Sequence, residues 1–414
     1  MFDRILKYIL ILSNDTLSIL EIIIRLDCDL IKYEIIDKSD GWIIIESEDP
    51  KIENAFTKLG GIFKVSKSNT ESIKDLDELN PEILLSELLG NQLNNRKLIW
   101  GLSIYSNKEH DLNEINKTIT ESFKKALVAL GADRNKLIRS TFARFEGVSA
   151  LEIPSREVTN RLLPPSGAEL IVINSKNRIH IAQTFRCIDH LDFRNKDFLR
   201  PHQNSEVSMP PRLARILVNL SGITKSEVLL DPFCGAGTIL LEAIDLRYNI
   251  IGIDIEPEQI SKANSNIRWF SKYRKITLSK SEPKIFVGDS RKLESYFKED
   301  SIDRIVTEPI LLPLLKKLPS NENASKMLKK SASTYFDALR SMVKVLKPKG
   351  RIIMVAPEIK TLDGQLMRFP LESRITQLGL KEYKPNLAQN IQYPIIVGTE
   401  IKRALRNIYI FEKN

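Results

Sequence analysis

The C-terminal half of this 414-residue chain alternates short apolar runs with helix-like stretches, and this alternation constrains the fold more than any other feature. The runs predicted as strands cover residues 228–230, 250–253, 285–287, 302–306 and 351–356. Alternating βα units build a parallel, doubly wound sheet. A predicted helix at 213–220 precedes the first strand, and residues 407–412 could add a final antiparallel strand. We therefore predict an α/β class, with a Rossmann-like domain over residues 208–414.

A glycine-bearing turn with the sequence DPFCGAGT, residues 231–238, follows the first of these strands. Its two glycines let the backbone approach a nucleotide-like ligand closely, and the N–H groups of the next helix are exposed beside it. The turn therefore predicts a cofactor loop. The residues assigned to cofactor binding are Asp231, Pro232, Phe233, Cys234, Gly235, Gly237 and Thr238.

An acidic residue stands at the end of each of the first four predicted strands, namely Asp231, Asp254, Asp289 and Glu308. Ligands of doubly wound sheets bind at the carboxyl ends of the strands, so we expect these acids to share one site. Asp254, next to Ile255, is placed to accept hydrogen bonds from two ribose hydroxyls. Asp289, next to Ser290, could accept one from an adenine amine. These last four residues are assigned to the cofactor.

The identity of the cofactor follows from the loop rather than from the second acid. A nicotinamide dinucleotide would also use Asp254, but its fingerprint needs a third glycine where this chain has Leu240. A carboxylate at position 231 would repel a pyrophosphate and attract the cationic aminoacyl end of S-adenosylmethionine. We predict S-adenosylmethionine, with a dinucleotide or an unliganded Rossmann-like scaffold as alternatives. Cys234 has no histidine nearby in sequence and is interpreted as a tolerated small side chain, not a nucleophile.

The fourth strand ends in Glu308-Pro309-Ile310-Leu311. Methyltransferases that act on exocyclic amines usually have Asp or Asn, two prolines and an aromatic residue there. The first side chain and the first proline carbonyl accept hydrogen bonds from the amine, and the aromatic ring stacks on the base. Glu308 and Pro309 could supply both acceptors, so they are the predicted catalytic residues. Ile310 and Leu311 depart from the pattern; the alternative is a strand-ending turn without a catalytic role.

The formal net charge of the chain, +9 at pH 7, permits a polyanionic partner. Basic residues cluster around Trp269 and Tyr273, and cations beside aromatic faces suit RNA. The alternative is a solvated surface whose aromatic residues belong to the core. The residues assigned to RNA are Arg194, Arg200, Lys272, Arg274 and Lys275.

Several other classes of protein are not favoured. The chain has no run of 18 uncharged apolar residues and no signal peptide with a cleavage site, so we expect a cytoplasmic protein without membrane contact. Its three cysteines and four histidines show no spacing of a disulfide framework or a metal site. We predict reduced thiols and no metal.

The segments around the glycine loop resemble the THUMP-domain tRNA methyltransferases that modify the N2 amine of guanosine 10. The resemblance rests on Arg200-Pro201, the Met-Pro-Pro-x-Leu-Ala segment at 209–214, the loop at 231–238, Asp254, Asp289 and the degenerate Glu308-Pro309. It implies two N-terminal α+β modules, a ferredoxin-like module at 1–75 and a THUMP RNA-binding module at 76–190, followed by a linker at 191–207 and the methyltransferase domain at 208–414.

The resemblance also implies tRNA capture by the N-terminal half and methyl transfer to guanine N2 in the C-terminal half. Met209 and Pro210 would flank the cofactor, and Glu308 would orient the amine. We expect a monomer that binds tRNA, and the need for a small activating subunit stays open. The alternatives are a non-catalytic RNA-binding protein with the same fold and a methyltransferase of another RNA or of protein.

Overall fold

The computed structural model describes residues 5–94, 98–107, 112–132, 135–145, 148–165, 167–188, 190–203, 209–276, 283–309, 317–369, 371–398 and 404–414. The chain forms two compact units, one of residues 1–19 and 30–191 and the other of residues 20–29 and 192–414. Within the described residues, no helix is both long enough and apolar enough to cross a membrane.

The N-terminal half is a mixed α+β structure. Its elements are β1 (Leu6–Leu12), α1 (Asp15–Cys28), β2 (Glu34–Ser39), β3 (Trp42–Ser47), α2 (Ile52–Phe56), β4 (Ile62–Ser68), α3 (Pro81–Leu89), β5 (Ile99–Ser106), α4 (Leu112–Ala129), β6 (Lys136–Ile138), β7 (Thr141–Phe145), β8 (Val148–Glu152), α5 (Ser155–Arg161), β9 (Gly167–Asn174) and β10 (Ile179–Cys187).

One ten-stranded sheet contains all of these strands, in the order β2-β3-β1-β4-β10-β9-β5-β8-β7, with β6 beside β5. The antiparallel pair β4·β10 joins strands from the two predicted N-terminal modules. The division at residues 75 and 76 therefore crosses a continuous sheet and stays a prediction.

A buried ion pair links β4 to β9 in the middle of this sheet. The Lys64 Nζ atom lies 2.6 Å from Glu169 Oε1, and neither side chain is exposed. Ser103 and Thr184 hydroxyls also donate to the Glu169 carboxylate, at 2.6 and 2.7 Å. Buried charges of this kind are tolerated only when their partners are in place.

Replacing Lys64 with methionine should therefore destabilise the first unit by about 3–5 kcal/mol, because Glu169 would remain buried without its cation. Hydrogen exchange of the β9 and β10 amides would measure this effect. Lys67→Met is the matched control on the same strand, since Lys67 pairs with Glu53 at the surface, where the side chains are 44% and 36% exposed. It should cost less than about 1 kcal/mol. Equal effects of the two substitutions would show that the ion pair contributes little.

The C-terminal half has the α/β organisation that the sequence predicted. Its elements are α6 (His190–Phe198), α7 (Pro211–Leu220), β11 (Val228–Asp231), α8 (Thr238–Asp245), β12 (Asn249–Asp254), α9 (Pro257–Arg274), β13 (Lys284–Val287), β14 (Ile302–Thr307), α10 (Asn321–Val345), β15 (Leu346–Lys360), β16 (Leu366–Arg368), α11 (Glu372–Ile375), β17 (Leu380–Glu382), β18 (Ile395–Val397) and β19 (Ala404–Lys413).

The second sheet has the order β13-β12-β11-β14-β15-β19-β17, with β16 beside β15 and β18 beside β19. Strands β11 to β15 pair in parallel, whereas β19 runs antiparallel to β15. The strand order reverses between β11 and β14, and such a switch point opens a crevice at the carboxyl ends of the strands. The five predicted strands and the antiparallel closing strand are thus present.

Helices cover this sheet with their apolar faces. Helix α10 begins after Ser320, whose side chain accepts a hydrogen bond from the Asn323 amide. Its buried residues, which include Leu328, Tyr335 and Met342, join a core with the strands β14, β15 and β19. This packing fixes the fourth strand, which leads into Glu308.

Some elements were missed by sequence reasoning. The predicted linker at 191–207 contains most of α6, a helix whose sequence HLDFRNKDF has little apolar periodicity. Strand β2 was also missed, because its sequence EIIDKS is polar and lies at the edge of its sheet. Ser208, Ile310 and Leu311 lie outside the described residues, so the boundary at 207 and 208 stays a prediction.

Candidate active site

A cavity of about 710 Å³ opens at the carboxyl edge of the second sheet. Its lining comes from the ends of β11, β12 and β14, from the loop after β13, from the segment before α7, and from the helices α8, α9 and α10. The lining residues are Pro201, His202, Gln203, Met209, Asp231, Pro232, Phe233, Cys234, Gly235, Ala236, Thr238, Ile239, Asp254, Ile255, Glu256, Gln259, Lys262, Asp289, Ser290, Arg291, Glu308, Pro309 and Thr334.

The glycine loop forms the floor of this cavity, and its shape depends on two left-handed glycines. Gly235 has φ +49° and Gly237 has φ +88°, a region that favours glycine. The Cys234 amide donates to the Ile253 carbonyl at 2.9 Å, which ties the loop to the end of β12. Gly237 is the N-cap of α8. Backbone N–H groups at the start of this helix therefore border the cavity.

Asp231 is buried at the end of β11. It accepts hydrogen bonds from the Thr307 hydroxyl at 2.9 Å and from the Phe233 amide at 3.2 Å. Burial is the main cause that raises the pKa of Asp231 to about 7; the carboxylates of Asp254 and Glu308 act in the same direction, and the two hydrogen bonds oppose it. This site therefore favours a cation beside Asp231.

Asp254 is held at the end of β12 by backbone donors. The Gly235 amide donates to one carboxylate oxygen at 2.9 Å, and the Glu256 amide donates to the other at 3.0 Å. Each carboxylate oxygen can accept a second hydrogen bond, so the predicted role towards ribose hydroxyls fits this geometry. Glu256 lines the same cavity and was missed, although its position two residues after Asp254 was a readable signal.

Asp289 follows β13 and forms a two-contact ion pair with Arg291. The guanidinium atoms lie 2.9 and 2.7 Å from the two carboxylate oxygens. Hydrogen bonds from the Arg291 side chain lower the pKa of Asp289 below its usual value. The carboxylate therefore stays ionised and able to accept from an adenine amine. Sequence reasoning missed Arg291 at this position.

Glu308 follows β14 and faces the cavity together with Pro309. Its carboxylate lies beside Arg406 of β19, with 2.6 Å between Glu308 Oε1 and Arg406 Nε. The buried Tyr335 hydroxyl lies 3.5 Å from the Pro309 carbonyl oxygen. The structure thus brings both predicted acceptors to the cofactor cavity. Arg406 was missed, because its only sequence signal is a basic residue within a distant strand.

Two of the residues assigned to the cofactor do not line the cavity. Pro210 is exposed at the start of α7, where its carbonyl accepts from the Ala214 amide at 3.0 Å. Gly237 contributes its backbone conformation at the start of α8. The other eleven assigned cofactor residues surround the cavity. Cys234 is buried and burial raises the pKa of its thiol, which fits the interpretation as a small side chain.

The five residues assigned to RNA differ in exposure. Arg194, Lys272 and Lys275 are exposed on α6 and at the end of α9. Arg200 is buried and donates to the Thr238 hydroxyl at 2.7 Å, so it supports the cofactor loop, and its burial argues against the predicted RNA contact. Arg274 is half-buried between the carboxylates of Asp192 and Asp245, which also indicates a structural role.

Trp269 and Tyr273 stack on α9, with ring centroids 5.2 Å apart and planes within 14°. Phe270 is fully buried in the core. Trp269 and Tyr273 keep partial exposure beside Lys272. The aromatic cluster therefore belongs partly to the core and partly to the basic surface, and the RNA contact stays a prediction.

The cavity fits an adenosyl ligand with a cationic end. Three of its carboxylates, those of Asp231, Asp254 and Asp289, follow three different strands, and the apolar side chains of Phe233 and Ile255 also line it. Asp231 places a carboxylate at the glycine loop. A dinucleotide would bring its negatively charged pyrophosphate to this loop, so the carboxylate disfavours a dinucleotide. Across the described ranges, no group of three His, Cys, Asp or Glu side chains could hold a metal ion.

The sheet order and the acidic strand ends define the class of protein as a Rossmann-like methyltransferase. Two family models match, one described as an RMKL-like methyltransferase domain over residues 200–379 and one described as a DNA methylase over residues 43–265. The second spans more than half of the chain, and the chain belongs to the methyltransferases. Membership confirms the prediction of a methyltransferase that uses S-adenosylmethionine.

Named relatives give a finer comparison. The chain is 32% identical over 179 residues to the tRNA (guanine(10)-N2)-dimethyltransferase of Methanothermobacter thermautotrophicus, covering 42% of this chain and 47% of that protein. It is 29% identical over 138 residues to the enzyme of the same name from Methanocaldococcus jannaschii, covering 31% of this chain and 38% of that protein. The chain thus spans about half or less of the length of these relatives.

A solved structure extends the similarity of fold to the whole chain. TrmN from Thermus thermophilus matches 99% of this chain and 100% of its own, with a TM-score of 0.53 and 16% identity. The similarity confirms the predicted fold class, with an N-terminal α+β part and a C-terminal Rossmann-like domain.

Proposed function

We propose that this chain transfers a methyl group from S-adenosylmethionine to the exocyclic N2 amine of a guanine in tRNA, at position 10. The observation that carries the proposal is the meeting of Glu308 and Pro309 with Asp231 and Asp254 at one cavity. Acceptors for an amine and acids for the methyl donor face the same space. The names of the relatives support guanosine 10 of tRNA as the substrate.

The cofactor residues have separate roles in this proposal. Asp231 lies where it could bind the cationic aminoacyl end, Asp254 the ribose hydroxyls and Asp289 the adenine amine. Met209 is buried at the cavity wall and would contact the cofactor through its apolar side chain. Bound S-adenosylmethionine supplies an activated methyl group on a positively charged sulfur.

Positioning is the main contribution of Glu308 and Pro309. A guanine amine is a poor nucleophile because its lone pair is delocalised into the ring. Two acceptors can bind the two amine hydrogens and so orient the nitrogen lone pair towards the methyl group, in line with the bond from that group to sulfur. An ionised carboxylate is the stronger of the two acceptors. Glu308 would therefore be the catalytic residue that the amine contacts.

The N-terminal half is proposed to hold the tRNA, with the module boundaries that the sequence predicted. The exposed cations Arg194, Lys272 and Lys275 would add phosphate contacts from the methyltransferase domain. A tRNA substrate is consistent with a cytoplasmic enzyme.

We further propose that the chain acts as a monomer. An assay of methyl transfer with and without cell extract would show whether an activating subunit is needed.

The proposal is tested with purified protein, labelled S-adenosylmethionine and two tRNA transcripts. One transcript carries guanosine at position 10, and the other carries inosine there, which lacks the N2 amine. We expect methyl transfer only to the first, with mass-spectrometric mapping at nucleotide 10. Equal transfer to both would exclude the N2 amine. Calorimetric binding of S-adenosylmethionine without any transfer would favour a non-catalytic RNA-binding protein.

The exposed cations of α9 should matter for RNA affinity. The double substitution Lys272→Glu/Lys275→Glu should weaken tRNA binding by about tenfold or more and lower the salt dependence, since two phosphate contacts are lost. Filter binding at several salt concentrations would measure both. Lys298→Glu/Lys349→Glu is the charge-matched control, because both lysines are exposed near the opposite, N-terminal ends of β14 and β15. Equal losses in the two double variants would rule out a specific surface on α9.

A further inference from the structure

We propose that Arg406 is a positioning residue that holds the Glu308 carboxylate in the orientation required to accept the substrate amine. The inference rests on the proposed function. It deepens that function because it explains how a glutamate can serve at a strand end where amine methyltransferases usually carry the shorter Asp or Asn.

The contact between the two side chains is close and protected. Arg406 Nε lies 2.6 Å from Glu308 Oε1, and a second guanidinium nitrogen lies 3.5 Å from Oε2. Each side chain is only 12% exposed. A charge-assisted bond of this length, away from bulk water, restricts both partners more than a surface ion pair does.

The register of the second sheet places Arg406 next to Glu308. Strand β19 lies antiparallel to β15, with Arg406 opposite Pro357. Strand β15 lies parallel to β14, with Met354 opposite Thr307, the residue before Glu308. Arg406 therefore lies two strands away from β14, the strand that leads into Glu308. Its position is set by two ladders of backbone hydrogen bonds, β14 with β15 and β15 with β19. An anchor on a paired strand is more rigid than one on a loop.

The length of the glutamate explains why such an anchor is needed. A glutamate has one more rotatable bond than an aspartate, so its carboxylate explores more positions when nothing holds it. The Arg406 contact removes that freedom before the substrate arrives. A carboxylate has about four lone-pair sites, so the oxygens that accept from Arg406 retain capacity for an amine hydrogen.

The chemistry of the guanidinium also suits an acceptor role for Glu308. An arginine side chain carries N–H donors and no acceptor, so both contacts with Arg406 use the Glu308 carboxylate as an acceptor, the role that the substrate amine requires.

The test compares Arg406→Met and Arg406→Lys with the wild type, measuring kcat and KM for the tRNA transcript and the Kd for S-adenosylmethionine. Because a displacement of about 1 Å can cost about 100-fold in rate, we expect Arg406→Met to lower kcat by about that factor. The Kd for S-adenosylmethionine should stay within about twofold, which also shows that the variant is folded. Arg406→Lys should recover part of the rate, since lysine supplies charge without the fork geometry.

A matched ion pair provides the control for stability. Arg304 lies 2.9 Å from Glu227 with 15% and 20% exposure, at the opposite end of the same sheet. Arg304→Met should leave kcat near the wild-type value. A second comparison isolates the route through Glu308: in the Glu308→Gln background, Arg406→Met should add little further loss, because the residue acts through that carboxylate.

The outcomes separate this inference from the proposed function. A wild type without activity on guanosine 10 would overturn both. With an active wild type, the inference alone fails when Arg406→Met keeps the wild-type kcat or when Arg304→Met lowers kcat by the same factor. It also fails when the double variant Glu308→Gln/Arg406→Met loses kcat by the product of the two single losses. A gain of activity in Arg406→Met would also overturn it, since the guanidinium would then be a competitor of the amine.

Discussion

Glu308→Ala is expected to lower kcat for methyl transfer by about 100- to 1,000-fold while the Kd for S-adenosylmethionine changes less than about twofold. The magnitude is typical for the loss of one group that orients or stabilises a reacting centre. The selectivity for kcat follows from geometry. The predicted cofactor contacts come from β11, β12, the loop after β13 and the segment before α7, whereas Glu308 follows β14. Single-turnover kinetics with guanosine-10 tRNA and calorimetry with S-adenosylmethionine would measure the two quantities.

Glu227→Ala is the control for this prediction, since it also removes the acid of a half-buried Arg–Glu pair in the same domain. It should retain kcat within about twofold. An unchanged kcat in Glu308→Ala would mean that the strand end after β14 is a turn without catalytic function.

Asp231→Asn is expected to weaken S-adenosylmethionine binding by about 10- to 100-fold at pH 8, the loss of one hydrogen bond between charged groups. The amide keeps the shape of the side chain and can still accept from the Thr307 hydroxyl. Its neutrality removes the attraction for the aminoacyl ammonium. Binding to the wild type should also fall as the pH drops below about 7, since the cation needs the ionised Asp231, whose pKa is raised to about 7.

The same substitution should increase the stability of the ligand-free protein at high pH. The pKa of Asp231 is about 7 in the folded protein, whereas an aspartate in an unfolded chain has its ordinary pKa of 3.8. The folded state therefore holds a proton that the unfolded state releases between these values. This contribution is complete below pH 3.8 and is lost as the pH rises through about 7, a difference of up to about 4 kcal/mol. Asparagine removes this titration.

Thermal unfolding of Asp231→Asn and wild type at pH 5 and pH 8 would check the sign, with the larger gain expected at pH 8. Asp303→Asn is the control for binding, because Asp303 accepts from the Val228 amide at 3.0 Å near the beginning of β11. It should leave the Kd for S-adenosylmethionine unchanged. A lower stability of Asp231→Asn at pH 8 would contradict the raised pKa.

The sequence predicted the parts of the site that are local in the chain. The glycine loop and the four acids could be found because each stands next to an apolar strand, and parallel strands bring their carboxyl ends together. Arg291 and Glu256 lie within two residues of predicted acids and could have been found by the same reasoning. The strands of the second sheet were predictable because buried parallel strands are continuous apolar runs.

The missed features depend on contacts between distant residues. Arg406 meets Glu308 across 98 positions of sequence, and only the sheet register brings them together. The burial of Arg200 under the cofactor loop has the same origin, because an arginine near a linker is indistinguishable in sequence from one at a surface. The continuous N-terminal sheet also arises from the pairing of β4 with β10, which no local pattern encodes.

The hydrogen bond between Thr307 and Asp231 joins the two strands that open the crevice. In the proposed function, Asp231 binds the methyl donor. Thr307 directly precedes Glu308, the residue that would hold the amine of the base. This hydrogen bond would couple the charge of Asp231 to the neighbouring strand end, and so cofactor binding to RNA binding. Such linkage is reciprocal: any factor by which the cofactor tightens RNA binding is the factor by which RNA tightens cofactor binding.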